Sequence, residues 1–262
     1  MNGAGNDFIV IDNRAKKIRL TSEQIVFLCH RQRGIGADGL MLLKPCDSGK
    51  ADWAWDFYNN DGGIPEMCGN GSRCFARFVQ KVTGINRPFT FETVAGIVSV
   101  SFHGDLVKVD LMKPKEMRFE EKVTLSTGTQ TIHSMKVGNP HAVIFVDDAD
   151  AAMVQELGRE IRYHQHFAPN GINANFVQKL GPGHIRVRTY ERGVEAETLA
   201  CGTGVTASAL TAARLHQYNS PIKVQVQNGD ILEVDFKQAN GEFTDVKLTG
   251  PAKIVFEGRI EI

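Results

Sequence analysis

The chain has 262 residues, 42% of them hydrophobic and 23% charged, enough for one large or two moderate globular domains with a real core. Thirty basic residues balance thirty acidic ones, so the charge total gives no reason to expect nucleic acid or an anionic membrane as partner, and a small polar substrate fits better. No apolar run approaches the roughly 18 residues that span a bilayer. The five cysteines, an odd set without a CxxC pair or a preceding secretory h-region, point to a reducing cytoplasm.

In chain order, the hydrophobic pattern predicts a strand over residues 8–12, then a helix opening at Thr21 with Gln24 in capping-box spacing. Strands follow near 40–43 and 53–58, then a helix over about 70–81. Strands over 88–92, 97–102 and 106–111 come in quick succession, separated by the turn signals Ala95-Gly96 and Gly104-Asp105. Pro114 and the charged residues after it interrupt the pattern, which places a linker over 113–121. The second half repeats the order: strand 142–146, helix near 149–161, strands near 175–180 and 185–190, and a helix over about 203–216. Three or four strands close the chain, with Asn228-Gly229 marking a hairpin.

The repetition has a fixed offset. Asn6 and Asn139, Cys68 and Cys201, and Gly96 and Gly229 are each 133 residues apart, while Val109 with Val246 and Pro114 with Pro251 recur at 137, as a small insertion in the second copy would produce. The pattern predicts an α+β protein of two structurally similar domains from an internal duplication. The domains are expected at residues 1–116 and 117–262, with the last ten or so residues able to pack back on the first.

In each copy a cysteine precedes a glycine pair and then a predicted helix: Cys68-Gly69-Asn70-Gly71, and Cys201-Gly202-Thr203-Gly204. A thiol at a helix N-terminus sees the positive end of the dipole and unpaired N–H groups, which favour the thiolate. The glycines admit a ligand close to the backbone, and the N–H groups of such helix ends can grip a carboxylate and the charge that builds on it when the neighbouring carbon loses a proton. Inverting a stereocentre by proton transfer needs a base on one face and an acid on the other, which a duplicated unit supplies. A single Cys-Gly pair would be read as a small buried residue before a turn; two at the repeat offset favour chemistry.

Other readings of these residues are weaker. Gly202 to Ala207 matches a GxGxxA dinucleotide pattern, but residues 192–200 are polar and acidic where a buried strand belongs, and no acidic residue lies near Ile222 for a ribose. Asn70-Gly71-Ser72 is formally a glycosylation sequon in the wrong compartment. Cys74 is expected to face the core behind Cys68, and Cys29 and Cys46 to be packing thiols. His164 and His166 lack further ligands at metal spacing. A binding protein that kept the cleft, a dithiol redox protein and another two-base racemase are the alternatives that the residues themselves leave open.

The segments Gly3 to Phe8, Gly34 to Gly39, Phe57 to Gly62, Glu66 to Cys74, Gly138-Asn139-Pro140-His141, and Tyr190-Glu191-Arg192-Gly193 through Glu197 to Gly204 closely resemble diaminopimelate epimerases over nearly the whole chain. The resemblance implies domains each built as a curved mixed sheet around a central helix, with the active site in a cleft that closes to exclude water. It implies interconversion of LL- and meso-2,6-diaminopimelate on the route to lysine and peptidoglycan, without pyridoxal phosphate or metal, by a cytoplasmic homodimer. It assigns Cys68 and Cys201 as acid and base, and His141 and Glu191 as the residues that tune the thiols and receive the substrate ammonium. Binding positions fall on Asn6, Asn59, Gly69, Asn70, Asn139, Asn173, Glu191, Arg192, Gly202 and Thr203. Of these, Gly69, Asn70, Gly202 and Thr203 would serve the reacting carboxylate, and Asn59, Asn139, Asn173 and Arg192 the distal amino-acid end. Alone, a His after Pro would read as a packing residue and Glu191-Arg192 as an exposed pair. Gly39 stands where some members offer a substrate-contacting Gln, the chain begins with few residues ahead of Asn6 for a first strand, and Glu195-Ala196 lengthens one loop.

Overall fold

A computed structural model describes residues 1–262 and divides the chain into two units, one of residues 1–110 with 250–262, the other of residues 111–249. Within the first unit the elements are β1 (Asn2–Gly3), β2 (Asn6–Asp12), α1 (Ser22–Cys29), β3 (Gly39–Pro45), β4 (Trp53–Asn59), α2 (Gly69–Thr83), β5 (Phe89–Thr93), β6 (Gly96–His103) and β7 (Leu106–Asp110). The second has β8 (Lys115–Leu125), β9 (Gly128–Val137), β10 (Asn139–Phe145), α3 (Val154–Tyr163), a 3-10 turn (Gln165–Phe167), β11 (Asn173–Gly181), β12 (His184–Glu191), β13 (Ala196–Thr198), α4 (Gly202–His216), β14 (Ile222–Gln225) and β15 (Ile231–Ala239). The last strand, β16 (Glu242–Pro251), leads the chain back to the first unit.

The two sheets share one wiring. In the first unit β2 pairs parallel with β3, β3 antiparallel with β4, β4 parallel with β5, and β5, β6 and β7 follow antiparallel. In the second, β10 and β11, β11 and β12, β12 and β14, β14 and β15, and β15 and β16 repeat that order of parallel and antiparallel pairs. Each parallel pair is joined through a helix, as parallel crossovers require. The register agrees to the residue: Phe8 lies opposite Gly39 and Met41 opposite Phe57, while His141 lies opposite Asn173 and Asn175 opposite Thr189. Phe8, Met41 and Phe57 are therefore the counterparts of His141, Asn175 and Thr189.

Each sheet is covered on both faces, so its central strands are apolar in both directions. One face of the first unit packs α1 through Ile25, Leu28 and Cys29 against Leu40 and Leu42. The other packs α2, where Trp55, Phe75 and Phe91 form an aromatic cluster with ring centroids 4.8 to 5.4 Å apart. In the second unit α3 covers Ala142, Ile144, Ala174, Phe176 and Tyr190. Helix α4 lies against β9, β10, β11, β12, β14 and β15, and α2 touches β1, β2, β3 and β7, so each sheet curls around its second helix. That is the predicted α+β architecture of two similar domains.

The capping box at Thr21 forms, with Gln24 N–H donating to the Thr21 hydroxyl and Gln24 Oε1 accepting from Thr21 N–H. Two expectations need correction. The third helix begins at Val154 rather than near 149, because Asp148 Oδ1 accepts from Asp150 N–H while Arg188 Nη1 donates to the carbonyls of Ala149 and Asp150. These bonds hold the segment in turns despite its alanines. Residues 113–121 are no linker either: from Lys115 they form β8, an edge strand hairpinned to β9, bulged and with positive φ at Glu116 and Glu120. No helix is long and apolar enough to cross a membrane.

Candidate active site

In the first unit Cys68 is the N-cap of α2, its backbone extended (φ −137°, ψ 122°), and Gly71 N–H donates to its sulfur at 3.4 Å. The helix therefore starts with a thiol among the N–H groups of its first turn. Gly69 and Asn70 are its first two residues and both are buried. Asn70 Nδ2 donates to Asn6 Oδ1 at 2.6 Å, and Asn6 Nδ2 donates to Asp38 Oδ2 at 2.9 Å, so Asn6 is held at the head of β2 from both sides. Arg31 clamps Asp7 and Asp38 behind it at 2.8 to 2.9 Å, and its guanidinium lowers the Asp7 carboxyl against the opposing effect of burial. Asn59, at the exposed end of β4, completes the predicted set in this unit.

Beneath them lies an arginine that sequence reasoning missed. Arg73 is fully buried, one turn into α2, and donates to Asn70 Oδ1 at 2.9 Å and to the carbonyls of Gly69, Gly3 and Pro251 at 3.3 Å. A buried guanidinium persists only when its N–H groups are satisfied. Here it ties the helix start to both ends of the chain. Its sequence signal was an arginine inside an otherwise buried helix stripe. Cys74 beside it is buried, and desolvation pushes its thiol up to about 12; Cys29 is raised to about 11, also chiefly by burial. Cys46 corrects the expectation of a packing thiol: it is partly exposed and donates to Glu92 at 3.2 Å. At Gly39 a Cβ would meet the Tyr58 carbonyl at 2.7 Å and the Phe57 ring at 2.9 Å, so a larger residue has no place there.

The second unit repeats the thiol and changes its surroundings. Cys201 is the extended N-cap of α4 (φ −112°, ψ 108°), with Gly202 and Thr203 as the first helical residues. The Thr203 hydroxyl lies 3.6 Å from the Cys201 sulfur and 2.9 Å from His141 Nε2. His141 is fully buried on β10, and desolvation, aided by the charge of Arg192, pulls its pKa down to about 3. The imidazole is therefore neutral in the folded protein. Asn175 Nδ2 reaches His141 Nδ1 at 3.4 Å and donates to the Ala142 carbonyl at 2.8 Å, while Asn175 Oδ1 accepts from the Thr189 hydroxyl at 2.9 Å. Sequence reading passed over Asn175 and Thr189. Two asparagines alternating with apolar residues, Asn173 and Asn175, on a strand covered on both faces were the available signal.

At the mouth of this group, Asn173 Oδ1 accepts from Arg192 N–H at 2.8 Å and Asn173 Nδ2 donates to the Pro140 carbonyl at 3.0 Å. The Arg192 guanidinium donates to Asn139 Oδ1 at 3.4 Å and to the Asn170 carbonyl at 3.2 Å. Glu191 Oε2 accepts from the Thr198 hydroxyl at 2.9 Å across the β12 and β13 pair. The lengthened loop places Glu195 in a left-handed turn, where its carboxylate accepts from Arg162 and from Gly193 N–H, each at 3.0 Å. Thus Cys201, Gly202, Thr203, His141, Asn139, Asn173, Glu191 and Arg192 gather at one end of the second sheet. Cys68, Gly69, Asn70, Asn6 and Asn59 gather at the matching end of the first. Each set couples a helix N-terminus to polar side chains, an arrangement suited to holding a carboxylate beside a thiol acid or base.

The family model described as diaminopimelate epimerase matches residues 1–116 and 133–255. Diaminopimelate epimerases of Aquifex aeolicus and Chromobacterium violaceum are 41% and 42% identical to the chain, covering 99% and 100% of it and 96% and 98% of their own lengths. Among solved structures, a PhzF-family phenazine biosynthesis protein of Bacillus anthracis superposes with a TM-score of 0.72 at 14% identity, over 96% of this chain and 92% of that one. That last likeness is one of fold. The chain belongs to the diaminopimelate epimerase family.

Proposed function

We propose that the protein interconverts LL- and meso-2,6-diaminopimelate, a step toward lysine and peptidoglycan precursors, by two-base proton transfer with Cys68 and Cys201. The observation that carries the reading is a thiol at the N-cap of the second helix in both units, at equivalent places in one strand wiring. One cysteine, as thiolate, takes the α-proton from one face of the reacting carbon; the other, as thiol, delivers a proton to the opposite face. The bond to the departing hydrogen breaks as its electron pair delocalises into the adjacent carboxylate. N–H groups at Gly69, Asn70, Gly202 and Thr203 stabilise the charge that develops there. Each turnover inverts the carbon and exchanges the protonation states of the two sulfurs.

In this reading Arg192, with Asn139 and Asn173 bonded to it, and Asn59 hold the distal amino-acid end, where a guanidinium gives a carboxylate two parallel hydrogen bonds. Glu191 receives the substrate ammonium. His141, neutral and buried, acts on Cys201 through the Thr203 hydroxyl, and Asn6 keeps Asn70 in place. The test is incubation with LL-diaminopimelate in deuterated water, following the α-hydrogen and the stereochemistry. Deuterium incorporation with meso product is expected. A folded protein that shows neither overturns the proposal.

A further inference from the structure

The hydrogen bonds behind Cys201 have a direction, and it is set by the third residue back from the thiol. The Ala142 carbonyl can only accept, so the side of Asn175 that faces it at 2.8 Å is the amide NH2, and the oxygen is the atom that accepts from Thr189. The second hydrogen of that NH2 points at His141 Nδ1. A ring nitrogen facing a donor must offer its lone pair. In a neutral imidazole the hydrogen then sits on Nε2, which donates to Thr203 Oγ1 at 2.9 Å. With one lone pair of that oxygen occupied, its own hydrogen is left to point at the Cys201 sulfur, 3.6 Å away.

We propose that Asn175, oriented by Ala142 and Thr189, is a positioning residue that fixes the Nε2–H tautomer of His141 and so directs the Thr203 hydroxyl to stabilise the Cys201 thiolate. The opposite tautomer would draw the Thr203 hydrogen toward Nε2 and withdraw it from the sulfur. Asn175 touches neither thiol nor substrate; it acts only through the sense of the chain. Beneath Cys68 the positions that match His141, Asn175 and Thr189 hold Phe8, Met41 and Phe57, none of which can orient an imidazole. The inference deepens the proposed role of Cys201 and rests on that reading.

Two readouts that need no turnover test it. In protein carrying 15N-labelled histidine, the His141 ring, identified by its loss in His141→Gln, should show a protonated Nε2 and a bare Nδ1. Asn175→Asp, nearly the same shape but with only acceptors, should move the proton to Nδ1. It should also slow alkylation of Cys201, followed by peptide mass spectrometry near neutral pH, by about tenfold, the effect of raising a thiol by one unit. Alkylation of Cys68 should stay within about twofold, a range well short of one unit. Thr189→Val, which removes one of the two bonds that orient the amide, should act in the same sense and more weakly. A wild-type His141 with its proton on Nδ1 would overturn the proposal without any variant. So would an Asn175→Asp protein that keeps both the Nε2 proton and the alkylation rate. Loss of deuterium exchange with the tautomer intact would strike the epimerase reading and leave this one standing.

Discussion

The floors beneath α2 and α4 occupy one position in one wiring and are chemically opposite. Under α2, Phe8 and Phe57 meet edge to face at 6.0 Å, and a Cβ on Gly71 would sit in ordinary contact with Phe8 at 3.5 Å. Under α4 the same places hold His141, Asn175 and Thr189, and a Cβ on Gly204 would collide with Asn175 Oδ1. The first floor is held by area removed from water, the second by satisfied hydrogen bonds. A duplicated fold thus keeps the thiol at the helix start in both copies and varies what lies beneath it.

The largest test of this comparison asks whether the thiols are equivalent despite their floors. Cys68→Ala and Cys201→Ala should each lower epimerisation by at least about 10³-fold, the scale of a lost positioned acid or base. Near-normal formation of the inverted isomer in either, measured by the stereochemistry of the product, would break the pairing. Next comes Arg73→Met, which strands the acceptors at Asn70, Gly3 and Pro251. A loss of about 3 kcal/mol in urea unfolding is expected, with no comparable loss for Thr206→Val at the matching place in α4. An unchanged unfolding midpoint in Arg73→Met would mean those acceptors find other donors.

A finer probe is one methyl group. Gly204→Ala should destabilise by about 1–3 kcal/mol through overpacking against Asn175. Gly71→Ala should lie within about 1 kcal/mol of the parent, because helix propensity favours alanine by a similar amount. Equal midpoints for the two variants would show the floors to be equally yielding. The last effect is on pH dependence, and at neutral pH it vanishes. His141 has a folded pKa of about 3 against an ordinary value of 6.5, so it stays neutral in the folded state while the unfolded chain takes up a proton. Its contribution to stability is complete above pH 6.5 and is lost as the pH falls toward 3, at up to about 1.4 kcal/mol per unit. His141→Gln should flatten that slope between pH 7.5 and 5, although His133, also lowered by burial, titrates in both proteins. A slope unchanged by the substitution would mean the imidazole is solvated in the folded state.

Much of this was legible in the residues. The 133-residue offset and the Cys-Gly pairs before apolar periodicity located both helix starts within a residue, because caps and periodicity are local signals. Strand β8 was missed although Met117, Phe119, Val123 and Leu125 alternate with exposed polar residues, because Pro114 ahead of it, the charge of Glu121 on the covered face and two register shifts interrupt the pattern. The start of α3 was hidden because its competitors, Gln178 and Arg188, come from strands formed later in the chain. Asn175, Thr189 and Arg73 escaped for the same reason. Their meaning lies in which carbonyl or ring nitrogen stands opposite, and that is settled only when distant strands pair.

The bond from Arg73 to Pro251, together with the bridge between Asn2 and Lys253, also bears on the order in which the molecule is made. Residues 111–249 are one continuous stretch that holds all the strands of its own sheet, whereas the first unit is split around it. The first unit must wait, its buried guanidinium lacking one of its acceptors, until residues 250–262 are translated. The unit begun first is completed last, so a chain cut at residue 249 would keep the whole of the continuous unit and leave the split one unfinished.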